Sequence, residues 1–260
     1  MIVSRLRRSA AALGALGALV VVGSVLAGCV GSQRSTILSR IGEDVTAAPS
    51  ALSSPAGPPR ASAGGASPAA VACPKSQPPA LAAGHKPTVT IDTPKGPITM
   101  EIAADLSPIA AGNFVALAEC GYYDGVVFHR LVPGFVIQGG DGQYGRVGAD
   151  GKLPNSGRAG TGGPGYTIKD EPVTTPYGRG TVAMARSSGP DSVGSQFFIV
   201  LDDAAAGSLG DPQYNNYQII GKVTDGMKVV DAIAATPNAG QAAGNAAIDP
   251  VPMTKVSVSK

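Results

Sequence analysis

A chain of 260 residues fits one domain of ordinary size with a few tens of residues to spare. Its formal net charge of +2 is close to neutral, and no basic cluster with interleaved aromatics occurs beyond the N-terminus, which argues against a nucleic-acid partner. Glycine (36) and proline (22) are abundant but unevenly placed, the pattern of a linker joined to a loop-rich domain.

Residues 1–28 read as a targeting segment. Arg5, Arg7 and Arg8 precede an apolar run from Ala10 to Val25. The run ends in Leu26-Ala27-Gly28-Cys29, which resembles the bacterial lipobox, so Cys29 is expected to be diacylated and to become the mature N-terminus. The competing reading is an uncleaved membrane anchor, since the run approaches the roughly 20 residues a spanning helix needs. In both readings the basic flank stays in the cytoplasm and the rest of the chain faces outward, at the membrane but outside the cytoplasm. Two acyl chains suffice for stable anchoring where one is marginal.

Residues 29–86 are rich in Ala, Ser, Pro and Gly and keep no apolar period, so they are expected to form a disordered tether. Its mean reach is about 40 Å. With Cys29 lipidated, Cys73 and Cys120 remain of the 3 cysteines. An even remainder in an exported protein permits one disulfide, the alternative being two unrelated thiols.

The folded domain is expected over residues 87–260. Residues 88–92 and 96–102 read as a hairpin closed by Thr93-Pro94-Lys95-Gly96. Ser107 reads as a helix N-cap, with Pro108 in the first turn, Ile109, Phe114, Val115, Leu117 and Ala118 at helical spacing, and Gly121 as the stop. Strands are expected at residues 181–185, 196–201, 218–223 and 251–258, and a short helix at 226–234 with Met227, Val230 and Ile233 on one face. Gly160, Gly162 and Gly165 have the spacing of a dinucleotide fingerprint, but no strand precedes them and Pro164 interrupts any helix after them. No nucleotide cofactor is therefore expected, and no metal, because the 2 histidines lie far apart.

Between these elements stands a second hairpin. Val126-Val127-Phe128-His129-Arg130-Leu131-Val132 and Phe135-Val136-Ile137-Gln138 flank Pro133-Gly134, as strand, turn and strand. Strict alternation places Phe128 with Arg130 on one side and His129 with Leu131 on the other. An arginine beside apolar neighbours is costly to bury without a task or a partner.

Phe128-His129-Arg130 followed by Pro133-Gly134-Phe135-Val136-Ile137-Gln138-Gly139-Gly140-Asp141 resembles the signature of the cyclophilins, the peptidyl-prolyl cis-trans isomerases. Gly160-Thr161-Gly162-Gly163, Asp170-Glu171, Ala183-Met184-Ala185-Arg186, Gly194-Ser195-Gln196-Phe197-Phe198-Ile199 and Gly221-Lys222-Val223 continue the match in order. The resemblance implies a mainly β fold, a closed eight-stranded antiparallel β-barrel capped by two α-helices. It also implies action on proline-containing polypeptides with no cofactor, and a monomer is expected.

By the same resemblance Arg130 is the catalytic guanidinium, and Gln138 and Gln196 both hold substrate and orient the arginine. Phe135, Val136 and Phe198 wall the proline pocket, and the backbone at Ala185-Arg186-Ser187 pairs with the peptide. Arg186 replaces an Asn of many relatives, a change expected to matter little if backbone alone is used. Amide rotation needs no proton abstraction, so His129 is expected to line the site or support it, and Asp170 and Glu171 to anchor loops. The chain departs from the family between Leu201 and Gly221, where many relatives carry a Trp-Leu pair and a His. Here there is no Trp; Leu209 is the candidate for the Leu of the pair and Tyr217 for the His, with Tyr214 and Asn215 nearby. Binding of cyclosporin, which uses that Trp in the family, is therefore expected to be weak. The rival to an enzyme is a surface module that binds Pro-containing segments without turnover, for adhesion or as a receptor. The joint presence of Arg130, Phe135, Gln138, Gln196 and Phe198 favours the enzyme.

Overall fold

Residues 88–93 alternate polar and apolar, and Val89 and Ile91 on the apolar side are fully buried. This strand, β1 (Thr88–Thr93), pairs with β2 (Gly96–Ile102) through a turn in which the Thr93 hydroxyl donates to the Gly96 carbonyl at 2.7 Å. The computed structural model describes residues 71–210 and 216–260. Cys29, the targeting segment, the tether up to residue 70, and Tyr214 and Asn215 lie outside the described residues. No helix among the described residues is long and apolar enough to cross a membrane.

The remaining strands are β3 (Val127–Val132), β4 (Val136–Gly139), β5 (Thr181–Met184), β6 (Phe197–Val200), β7 (Ile219–Asp225), β8 (Ala246–Pro252) and β9 (Lys255–Ser259). They form one antiparallel sheet in the order β8-β3-β4-β6-β5-β7-β2-β1-β9. This corrects the expectation of a closed eight-stranded barrel: the sheet is an open, curled half-barrel of nine strands. The physical reason lies in the last strand, expected to be continuous over residues 251–258. It breaks at Met253 and Thr254, where the chain leaves one edge of the sheet for the other. The Met253 N–H donates to the Val126 carbonyl beside β3, whereas the Thr254 N–H donates to Asp92 in β1. The two edge strands, β8 and β9, are thus neighbours in the chain but share no ladder.

Three α-helices accompany the sheet rather than the two expected: α1 (Pro108–Glu119), α2 (Asp203–Leu209) and α3 (Met227–Ala234). On α3, Val230 and Ile233 are buried and Met227 packs beside them, as the spacing predicts. Phe114 of α1 enters the main core edge-on to Phe197, with ring centroids 5.2 Å apart. Burying one such ring stabilises the fold by about 1.5–3 kcal/mol.

Ser107 occupies the N-cap position of α1, but its hydroxyl makes no capping bond. Glu171 caps the helix instead, accepting from the Ile109 and Ala110 N–H groups at 2.8 and 2.9 Å. Its neighbour Asp170 pairs with the Arg186 guanidinium at 3.0 Å and accepts from the Asp191 N–H. Both acidic residues anchor loops.

Residues 71–86, placed in the tether by composition, form a strap along α1. Cys73 is bridged to Cys120 with Cα atoms 5.1 Å apart, and Leu81 donates its N–H to Pro108. The strap comes so close that a Cβ on Gly112 would lie 2.4 Å from the Pro79 carbonyl oxygen. A helical glycine costs about 1 kcal/mol relative to alanine, and here it admits the strap.

Candidate active site

Pairing of β3 with β4 slips between Phe128 and Arg130, and pairing with β8 slips at the same place. His129 is therefore the extra residue of a β-bulge, which reverses the side-chain alternation downstream. The expected grouping of Phe128 with Arg130, and of His129 with Leu131, is corrected by this bulge. Phe128 and Leu131 both enter the main core. Arg130 stands opposite Gln138, Gln138 opposite Phe198, and Phe198 opposite Ala183. Directly opposed residues share a face of the sheet, so a guanidinium, an amide and a phenyl ring form one row across β3, β4 and β6. Two residues along, Val132, Val136 and Val200 make a second, apolar row.

Hydrogen bonds tie the row together. Arg130 Nη1 donates to Gln138 Oε1 at 3.1 Å, and Gln138 Nε2 donates to Gln196 Oε1 at 3.0 Å. Gln196 Nε2 donates to the Gly160 and Gly162 carbonyls at 2.9 and 2.8 Å. Burial lowers the pKa of Arg130 from the ordinary arginine value, and Tyr217 acts in the opposite direction. An arginine starts so far above neutrality that it stays a cation.

The apolar wall is a second cluster on this face of the sheet, built on Val136, Phe198, Leu209 and Ile219, with Phe135, Ala185 and Tyr217 packed against it. Phe198 and Tyr217 meet edge to face, centroids 5.4 Å apart. Tyr177, not singled out from the sequence, clamps Tyr217: its hydroxyl donates to the Tyr217 carbonyl at 2.9 Å and accepts from the Tyr217 N–H at 3.2 Å. Leu209 reaches the wall because α2 carries it there. The Asp202 carboxylate caps that helix by accepting from the Ala204 N–H, a signal visible in Asp202-Asp203-Ala204.

Gln138, Gln196, Ala185 and Arg186 line an adjoining cleft of about 730 Å³, closed on its far side by residues 160–167. The Ala185 N–H is spent within the fold, on the Gln196 carbonyl. Arg186 also contributes its side chain to the fold. Its side chain is only 9% exposed, pairs with Asp170, and donates to the carbonyls of Ser187, Gly189 and Asn216. It fastens the loop 187–192 that borders the cleft.

His129 is not brought into the row. It lines a separate hollow of about 390 Å³ with Val147 and Ile248, and neither ring nitrogen has a hydrogen-bond partner. Burial pushes its pKa down to about 4, so the imidazole is neutral at pH 7. Gly160 lies against the ring, where a Cβ would sit 2.9 Å from Nε2. Its φ of +93° independently favours glycine.

Residues 88–258 match the family described as cyclophilin type peptidyl-prolyl cis-trans isomerase. The chain belongs to the cyclophilins. It is 40% identical over 148 residues to a probable peptidyl-prolyl cis-trans isomerase of Brucella abortus, covering 56% of this chain and 70% of that one. A Helicobacter pylori peptidyl-prolyl cis-trans isomerase is 39% identical over 149 residues, 55% of this chain and 78% of the other. A solved cyclophilin of Cryptosporidium parvum superposes with a TM-score of 0.53 at 29% identity, over 68% of this chain and 99% of that one. A second crystal structure of the Cryptosporidium parvum protein, obtained in the presence of the dipeptide Ala-Pro, gives 0.52 at 30% identity, over 66% and 99%. As a cyclophilin the chain is an enzyme of the peptidyl-prolyl cis-trans isomerase class. The strap lies ahead of the matched region.

Proposed function

We propose that this cyclophilin accelerates rotation about X-Pro bonds in exported polypeptides, with Arg130 donating to the prolyl nitrogen above an apolar wall of Phe135, Val136, Phe198, Leu209 and Tyr217. An amide resists rotation by about 18–20 kcal/mol because the nitrogen lone pair is delocalised into the carbonyl. In the twisted form that pair is localised on nitrogen and accepts a hydrogen bond, so a fixed donor binds the twisted amide better than the planar one. The observation that carries the reading is the shared row of Arg130, Gln138 and Phe198. Among the described residues Gln138 is the hydrogen-bond partner of Arg130, and it engages one nitrogen of the fork.

A rate gain of about 10⁵ requires roughly 7 kcal/mol. A charge-assisted hydrogen bond contributes about 1.5–3 kcal/mol. The remainder falls to the wall, which excludes water and favours the less polar twisted amide. A protease-coupled assay on an X-Pro peptide tests the activity: concentration-dependent acceleration is expected, and a rate equal to the uncatalysed one contradicts it. With no Trp in the chain, cyclosporin is expected to inhibit weakly, and submicromolar inhibition contradicts that.

The same proposal places the domain outside the cytoplasm as a monomer, held to the membrane by a lipid on Cys29. The lipobox-like Leu26-Ala27-Gly28-Cys29 supports this, and so does a disulfide, which persists in oxidising compartments. Cys29→Ala is expected to abolish lipid labelling and membrane retention; a labelled, membrane-bound variant contradicts the anchor.

A further inference from the structure

Asp141 lies two residues past the strand that carries Gln138, and it is 0% exposed. A buried carboxylate is expensive unless it is paired or fully hydrogen-bonded, and Asp141 has no ion-pair partner among the described residues. Four backbone N–H groups surround it instead. Oδ2 accepts from Gly160 and Gly162 at 2.8 and 2.9 Å. Oδ1 accepts from Gln143 and Tyr144 at 3.0 and 2.9 Å. A Cβ on Gly162 would lie 2.5 Å from Oδ1, so the loop approaches as closely as it does only because that residue is glycine.

The two glycines whose N–H groups Asp141 holds are the two whose carbonyls receive Gln196 Nε2. Those contacts continue through Gln196 and Gln138 to Arg130. The direction of this relay is fixed at both ends. A guanidinium only donates and a backbone carbonyl only accepts. Gln138 must therefore turn its oxygen to Arg130 and its nitrogen to Gln196, and Gln196 must turn its nitrogen to the glycines. Reversing either amide sets donor against donor or acceptor against acceptor.

We propose that Asp141 is a positioning residue for Arg130, acting through the Gly160 and Gly162 carbonyls, Gln196 and Gln138. It touches no reacting atom. By drawing the two glycine N–H groups to one carboxylate oxygen it makes their carbonyls converge on Gln196, which locks both amides and aims the guanidinium. The inference rests on the isomerase reading of Arg130 for its kinetic consequence, though not for the relay itself.

The test uses the full chain and Asp141→Asn, whose amide can accept from one pair of N–H groups only. Against an X-Pro peptide kcat/KM is expected to fall roughly 10- to 100-fold, the scale of an ångström-sized misplacement. In a Gln196→Ala background the same substitution is expected to cost under about 2-fold more, because the relay is already cut. Equal losses in both backgrounds overturn the proposal. A second readout is the side-chain ¹⁵N resonances of Arg130, expected to shift and broaden in Asp141→Asn; unchanged resonances also overturn it. That signal is independent of turnover, so an inactive wild type refutes the isomerase reading without silencing this one. If Asp141→Asn does not fold, the coupling is read in Gln196→Ala, where exchange of the Gly160 and Gly162 amides is expected to accelerate by about 10-fold through reciprocal coupling. Unaltered exchange there overturns the proposal.

Discussion

Arg130 and Phe198 stand on either side of Gln138 in a single cross-strand row, on the opposite face of the sheet from Phe128 and Leu131. The bulge at His129 creates this arrangement. Without the extra residue, Arg130 would follow Phe128 onto the core face and bury its charge there. The guanidinium shares a face with the aromatic wall because β3 breaks its alternation one residue earlier.

The bulge residue makes acid stability a direct test. Burial holds His129 at about 4, whereas in the unfolded chain it titrates near the ordinary 6.5. Above pH 6.5 both states are neutral and the stability is complete. As pH falls from 6.5 towards 4 the unfolded state takes up a proton that the folded state does not, and about 3 kcal/mol is lost. Denaturant titrations at pH 7 and pH 4.5 are expected to differ by about 2–3 kcal/mol less in His129→Leu than in the wild type. Identical pH dependence in the two proteins contradicts a buried neutral imidazole.

Glu171 makes a second prediction, on stability. Its carboxylate serves the first N–H groups of α1, where Ser107 does not. Glu171→Ala is expected to lose about 1–2 kcal/mol, a fall in Tm of several degrees for a domain of this size. Ser107→Ala is expected to leave Tm nearly unchanged. The reverse order of the two effects, read by calorimetry, contradicts the assignment of the cap.

The bridge between Cys73 and Cys120 closes a segment with a sequence separation of 47. On the chain-entropy account a loop of that length is worth about 4 kcal/mol. Cys73→Ala is therefore expected to lower the unfolding free energy by about 2–4 kcal/mol. It is also expected to free the Lys169 N–H from Gln77, its partner in the strap. Equal stability with and without reductant contradicts a structural role for the bridge.

The second hairpin was legible because its signals are local: β-branched runs, a Pro-Gly turn with Gly134 at φ +69°, and alternation from Leu131 onward. The bulge was not, since it is a property of register between strands and leaves no mark on one strand's own pattern. Glu171 stands 62 residues from Ile109 in sequence, so its cap depends on tertiary placement. Ser107 at the right position is the nearer candidate, but its hydroxyl makes no capping bond. Helix α2 lacks an apolar stripe, Leu209 being its one large apolar residue, and only Asp202 announces it. The side-chain role of Arg186 leaves no local mark in the sequence, because its partners, Asp170 and the carbonyls of Gly189 and Asn216, meet only once three loops are folded together.

Arg130 is proposed to bind the prolyl nitrogen of a twisted amide. The most direct measurement compares the wild type with Arg130→Ala in catalysed X-Pro isomerisation, with thermal unfolding followed in parallel. kcat/KM is expected to fall roughly 10- to 100-fold, the value of one charge-assisted hydrogen bond, with Tm little changed because the guanidinium is not part of the core. Equal isomerisation rates in the two folded proteins contradict the account.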